Sequence, residues 1–167
     1  MQNAKKELLI IIPVYNEEES IKCVVEELKA QYPQYNFIVV NDGSSDRTAE
    51  ICRANQYALL DLPVNVGLSA AVLYGMRYAV RNHYRMAIQF DGDGQHCPEY
   101  IPALVRQIEA GADIAIGSRF VNEKKPVNGR MLGSRVLSFL IWLKSGTWIH
   151  DPTSGMRAYT REIMEQL

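Results

Sequence analysis

Residues 86–95 read Met-Ala-Ile-Gln-Phe-Asp-Gly-Asp-Gly-Gln. The first five have the length and apolarity of a short buried strand, and two aspartates one residue apart close it. In extended backbone, side chains two positions apart point the same way. Asp91 and Asp93 therefore aim both carboxylates at one point if the strand persists to its end. Two hard oxygen ligands, with the Gln95 amide oxygen close by, suit Mg2+ or Mn2+. Glycine at 92 and 94 frees the backbone to turn and lets a ligand approach closely. The stretch predicts a strand whose C-terminal end holds a divalent metal against a phosphate leaving group. A plain turn competes with that reading, because Asp-Gly pairs are ordinary turn formers. The rest of the chain decides between them.

Upstream, Glu7 to Pro13 (ELLIIIP) is a continuous apolar run, as expected for a parallel strand covered on both faces. It runs into Tyr15-Asn16-Glu17-Glu18-Glu19, acids that complement the dipole of a following helix. Ile21, Val24, Val25 and Leu28 then mark one helical face. Tyr35 to Val40 predicts a second strand ending in Asn41-Asp42-Gly43-Ser44-Ser45-Asp46, with a helix starting at Ser45 or Asp46, both good N-caps. Tyr57 to Leu62 predicts a third strand. Asn65-Val66-Gly67 and a helix with Leu68, Ala71, Val72, Gly75 and Ala79 on one side follow it. Downstream of the aspartates, Pro98-Glu99 opens a helix with Ile101, Leu104, Val105 and Ile108 inward. Asp113 to Ile116 predicts a fifth strand ending at Gly117-Ser118-Arg119. Residues 122–130 read as a polar loop, and Met131 to Lys144 as a helix with an apolar face flanked by Arg130, Arg135 and Lys144. Met156 to Thr160 predicts a last strand before a short helix.

This alternation predicts an α/β fold with a doubly wound, mostly parallel sheet and helices on both faces. Ligands in such sheets bind outside the carboxyl ends of the strands. The clusters at Tyr15–Glu17, Asn41–Asp46, Asp91–Gln95 and Ser118–Arg119 share that address, which argues for one site.

The 167 residues fit one domain able to bury roughly 70% of its unfolded surface. A net charge of −1 speaks against bulk nucleic-acid binding, which draws on a basic excess or face. Three cysteines without a CxxC pair fit a reducing cytosol better than a disulfide framework. No signal-peptide pattern opens the sequence, and no apolar run approaches the roughly 20 residues of a membrane span. The expected setting is cytoplasmic, with peripheral contact on the cytoplasmic face of a membrane left open by the basic-flanked helix.

Each candidate residue has a plain alternative. Asp42 accepts from the N–H edge of a base, or stands in a turn whose Ser44 or Ser45 caps the next helix. Tyr15 stacks on a base or packs on its own helix. Glu17 faces a nucleotide or only complements the dipole, and Asn65 to Gly67 reads foremost as a helix entry. Arg119, Arg130, Arg135 and Arg157 offer forked donors to phosphate, or are solvated. His96 has no partner at metal-ligand spacing.

Six motifs stand in a fixed order: Ile12-Pro13-Val14-Tyr15-Asn16-Glu17, Asn41-Asp42-Gly43-Ser44-Ser45-Asp46, Asn65-Val66-Gly67, Asp91-Gly92-Asp93-Gly94-Gln95-His96, Gly117-Ser118-Arg119 and Asp151-Pro152-Thr153-Ser154-Gly155-Met156-Arg157. Together they resemble the inverting glycosyltransferases of family 2, in the branch of dolichol-phosphate mannose synthase and its bacterial polyprenyl-phosphate relatives. The resemblance runs from about Leu8 to Tyr159. It implies a GT-A (Rossmann-like) fold and a single catalytic domain over 1–167. Family members continue further, so the chain is expected to lack a C-terminal portion. It also implies that Pro13, Tyr15, Glu17, Val40 and Asp42 line the nucleoside pocket. By the same resemblance Asp91, Asp93 and Gln95 hold the metal against the diphosphate, and Gly92 passes close to the nucleotide. Arg119 and Arg135 contact donor or acceptor phosphate, while Asp151 and Arg157 lie beside the acceptor. Asp93 and Asp151 are the residues expected to take part in catalysis.

The implied reaction moves a sugar from a UDP- or GDP-sugar, with inversion, onto an acceptor. A hydroxyl acceptor needs a general base, worth about 10²–10⁴-fold. A lipid phosphate does not, because its second pKa near 6 leaves it mostly dianionic at neutral pH. The arginines and the single candidate base, Asp151, favour a polyprenyl phosphate. Rival readings are transfer to a glycan or other hydroxyl, a non-catalytic nucleotide-sugar-binding domain, and, more remotely, a haloacid-dehalogenase-type phosphatase. No GxGxxG follows the first strand, which argues against a dinucleotide-binding domain.

Overall fold

The apolar run Glu7 to Pro13 becomes the centre of the sheet as β1 (Lys6–Val14). Its alternation splits one continuous run between two cores. Leu8, Ile10, Ile12 and Val14 pack on one face, and Leu9 and Ile11 on the other. A computed structural model of the chain describes residues 6–94, 98–117, 139, 142–144, 146 and 155–167. Within them β1 is followed by α1 (Ile21–Gln31), β2 (Asn36–Asp42), α2 (Thr48–Ala54), β3 (Leu59–Leu62), α3 (Leu68–Arg81) and β4 (Tyr84–Gln89). A 3-10 turn (Pro98–Tyr100), α4 (Ile101–Glu109), β5 (Ile114–Ile116), β6 (Arg157–Thr160) and α5 (Arg161–Gln166) complete the order.

The strands lie in the order β3-β2-β1-β4-β6-β5. The pairs β1–β2, β2–β3 and β1–β4 are parallel, and β6 runs antiparallel to both β4 and β5. The doubly wound, mostly parallel sheet expected from the sequence is present, with one reversed strand that the apolar pattern did not orient. The chain leaves β1 toward β2 and later returns on the other side as β4. That reversal opens a crevice at the carboxyl edge of β1. Helices α1, α2 and α4 cover one face, burying Ile21, Val24, Val25, Leu28, Cys52, Ile101, Leu104 and Ile108. Helices α3 and α5 cover the other with Ala71, Val72, Met76, Ala79 and Met164. Burial and the nearby Asp61 carboxylate push the Cys52 thiol up to about 11, so it behaves as a small core hydrophobe.

Several local expectations are corrected. Glu17–Glu19 precede α1 in a turn and do not sit in its first turn: the helix starts at Ile21 with Ser20 at its N-cap, and the Glu17 carbonyl accepts the Ile21 N–H at 3.0 Å. Helix α2 starts at Thr48, later than Ser45 or Asp46, since Ser44 and Ser45 are drawn into bonds with Asn41 and Asn16. Leu68 does not join the buried face of α3. It is the first residue of the helix and is 54% exposed. Among the described residues no helix is long and apolar enough to cross a membrane.

Gly75 sets how closely α3 approaches the sheet. A Cβ there would lie 2.4 Å from Ile11 Cγ2, a branched and fully buried atom with no room to retreat. Gly75→Ala gains up to about 1 kcal/mol of helix propensity. Overpacking costs about 1–3 kcal/mol and outweighs it. The expected result is a lower denaturation midpoint with an unchanged slope in urea.

Candidate active site

Three loops at the carboxyl edge are joined side chain to backbone before any ligand is considered. Asn16 takes a left-handed conformation (φ 56°), which turns its N–H to Ser44 Oγ at 2.9 Å. Its own Oδ1 accepts the Ser45 N–H at 2.9 Å. Beside it the Glu17 N–H meets Thr48 Oγ1 at 2.9 Å, and the Glu18 N–H meets Asp46 Oδ2 at 3.1 Å. Burial pushes the Asp46 carboxyl up, but hydrogen bonds from the Thr48 side chain and the Thr48 and Glu18 backbone outweigh it and hold the carboxyl below its ordinary value. These contacts fix the β1–α1 loop against the β2–α2 loop.

Asp42 ends β2 almost fully buried, at 4% exposure. Its two oxygens accept the Val66 N–H at 2.7 Å and the Gly67 N–H at 2.9 Å. The segment Asn65 to Gly67 is thus both the entry to α3, with Gly67 at φ 88°, and a backbone clamp on Asp42. Gly43 permits the approach, because a Cβ there would meet the Asn65 backbone nitrogen at 2.5 Å.

The aspartate pair lies in a turn. Strand β4 ends at Gln89, so Asp91 and Asp93 are placed by the loop and not by strand alternation. That loop is held on three sides. Phe90 N–H reaches the Ile11 carbonyl at 2.9 Å, Gln89 Nε2 donates to Asp91 Oδ1 at 2.9 Å, and Ser20 Oγ lies 2.9 Å from the Gly92 carbonyl oxygen. Ser20 also contacts the Glu17 carboxylate, which joins the two halves of the crevice. The protein itself crowds Gly92: a Cβ there would sit 2.4 Å from Val14 Cγ1. The expected strain-free turn is instead found at Gly94, at φ 74°.

The result is a cleft of about 320 Å3 lined by Pro13, Tyr15, Glu17, Asp42, Asp91, Gly92 and Asp93 from the sequence-predicted set. Tyr15 is 49% exposed toward it and is not packed away on α1. Val14, Asn65, Gly67, Leu68 and Ala71 complete the wall. Of these, Leu68 carried a signal in retrospect, as an apolar residue just past a helix-entry glycine. Val40 departs from expectation. It is 0% exposed in the core with Leu9 and Ile11, and its side chain is not part of the wall.

Arg157 stands outside the cleft wall but at the same edge. It opens β6 opposite Gln89 and hydrogen-bonds the Tyr159 hydroxyl. Burial raises the Tyr159 phenol, the arginine opposes this, and the Asp91 charge adds to it, so Asp91, Arg157 and Tyr159 share one neighbourhood. Gln95, His96, Arg119, Arg130, Arg135 and Asp151 lie outside the described residues.

The sequence model of Glycosyl transferase family 2 matches residues 9–167. The chain belongs to that family. It is 37% identical to the polyprenol monophosphomannose synthase of Mycolicibacterium smegmatis, over 95% of this chain and 63% of that protein. It is 33% identical to the undecaprenyl-phosphate mannosyltransferase of Micrococcus luteus, over 96% of this chain and 69% of that one. These relatives place this family 2 chain in the dolichol-phosphate mannose synthase-like branch. It spans about two thirds of their length. The fold superposes with TM-score 0.76 on glucosyl-3-phosphoglycerate synthase of Mycobacterium tuberculosis, crystallised with Mn2+ and UDP-glucose. That pair is 21% identical and covers 99% of this chain and 60% of the other, which shows a shared GT-A fold.

Proposed function

We propose that this family 2 chain binds a nucleotide-diphosphate sugar with a divalent cation and transfers the sugar, with inversion, to a polyprenyl phosphate. The charge of the cleft supports this most directly. Glu17, Asp42, Asp91 and Asp93 line it, and no described lining residue is basic. A diphosphate entering four carboxylates is repelled unless a cation lies between them. Asp91 and Asp93 supply hard oxygen atoms on one short loop, a donor set that fits Mg2+ or Mn2+. Those two residues, with Gln95, would hold the ion, which when bound neutralises charge growing on the departing diphosphate.

The remaining roles belong to the chain itself. Tyr15 offers a ring face to the base, and Asp42, already fixed by Val66 and Gly67, accepts from its N–H edge. The N-terminal end of α3, at Gly67 and Leu68, presents the positive end of a helix dipole to the cleft. Arg119, Arg135 and Arg157 hold the acceptor phosphate, with Asp151 orienting it. A phosphate already ionised attacks without losing a proton, so no general base is required. The names of the polyprenol and undecaprenyl-phosphate relatives support this acceptor over a hydroxyl. Contact with a membrane surface follows from a lipid acceptor.

The deciding experiment supplies UDP- and GDP-sugars with a short-chain polyprenyl phosphate and, in parallel, with glycan and peptide hydroxyl acceptors. The expected product is a polyprenyl phospho-sugar of inverted anomeric configuration. Transfer to hydroxyls with the lipid phosphate left untouched would overturn the reading.

A further inference from the structure

Gln89 is an anomaly in its strand. It interrupts the apolar run Met86 to Phe90, yet it is only 7% exposed. A buried amide left unpaired costs about 1–3 kcal/mol, so a polar residue here needs a reason. The buried Asn41, Asp42 and Thr48 all bond across to other segments of the site, through Asp61, the Val66–Gly67 backbone and the Glu17 N–H respectively. Gln89 instead reaches two residues along its own chain and donates Nε2 to Asp91 Oδ1 at 2.9 Å. The orientation of that amide follows from chemistry, because an ionised carboxylate only accepts.

The backbone around the pair is held tightly. Gln89 is the last β4 residue paired with both neighbours, Ile11 of β1 and Arg157 of β6. Residues directly opposite across an antiparallel pair share a face, so Arg157 and Gln89 project to the same side of the sheet. The donor is thus fixed by two ladders, while its acceptor stands just beyond the last rung. We propose that Gln89 is a positioning residue for the cation site. By occupying one lone-pair direction of Asp91 Oδ1, it sets the side-chain rotamer and turns the carboxylate toward the cleft that Asp93 also lines. This inference rests on the metal-dependent reading of the cleft given above. Outer partners of metal-ligating groups commonly govern affinity by about 10–100-fold, which sets the scale of the expected effect.

The test is calorimetric titration of the chain with UDP and with GDP, each with and without Mn2+, for the wild type, Gln89→Leu and Gln89→Met. Both substitutions keep the approximate volume and remove the donor. Methionine is unbranched and adaptable, so it serves as the second variant if the leucine form does not fold. The expected result is a 10–100-fold weaker Kd in the presence of Mn2+, with the metal-free Kd unchanged and a cooperative thermal transition retained. A folded variant that keeps the full Mn2+ gain overturns the inference. Equal loss with and without Mn2+ also overturns it, because that is the signature of a general structural role. A wild type with no Mn2+ gain overturns the metal reading itself, and this inference with it. The wild-type arm therefore separates the two failures.

Discussion

Asp93→Ala is expected to remove the Mn2+-dependent part of nucleoside-diphosphate binding and to lower turnover by about 10²–10³-fold, the loss typical of deleting one preorganised charge-stabilising group. The argument is electrostatic. Four carboxylates line the cleft without a basic neighbour among the described lining residues, so on the proposed reading a diphosphate should bind only when a cation bridges it to the protein. Asp91 and Asp93 are the acidic pair on the loop after β4, and removing one leaves a site too poor in charge to hold the ion against its hydration. Asp93 is exposed, so folding stability should change by less than about 0.5 kcal/mol. Binding and melting measured on the same sample separate the two effects. An Asp93→Ala protein that binds the diphosphate with undiminished Mn2+ dependence would remove Asp93 from the site.

Asp42→Ala is expected to have the second large effect, on both stability and binding. The buried carboxylate accepts two backbone N–H groups, from Val66 and Gly67, and so fixes the loop that opens α3. Hydrogen bonds to a charged group contribute about 1.5–3 kcal/mol. The Gly67 N–H keeps a second acceptor in Asn65 Oδ1 at 3.1 Å, so the total loss should remain within that range. Affinity for the nucleotide should fall as well, since the wall formed by Asn65, Gly67 and Leu68 is no longer held. Asp42→Asn keeps one acceptor oxygen but turns a donor toward a donor, and should recover only part of the stability. Denaturant midpoints for the three proteins check the order wild type, Asn, Ala. An alanine variant as stable as wild type would show that the Val66–Gly67 clamp contributes nothing.

Much of this architecture was legible in the sequence because its determinants are local. The apolar run of β1 and the helical spacing of Ile21, Val24, Val25 and Leu28 reflect burial of one segment's own side chains. The shared address of the polar clusters followed from the strand–helix alternation alone. What escaped was set by partners distant in sequence. The contact of Ser20 with the Gly92 carbonyl joins residues 72 positions apart, and Asn16 reaches 28 and 29 positions to Ser44 and Ser45. No periodicity reports such contacts, so the serines read as helix caps. The antiparallel direction of β6 was hidden for a similar reason. A short strand carries no orientation in its composition, and the pairing of Arg157 with Gln89 is decided by the chain's return path. Gly92 shows a subtler limit. The sequence marked the position as one needing glycine, but the atom that crowds it, Val14 Cγ1, belongs to β1, far away in sequence. Gln89 was visible only as an interruption in an apolar run. Its meaning needed the position of Asp91.

The most direct test of the metal-dependent donor site is calorimetric titration of the wild-type chain with UDP and GDP, with and without Mn2+. The account predicts that one of the two diphosphates binds, and that its affinity depends on the metal. Binding of neither, or equal binding in the absence of Mn2+, would contradict it.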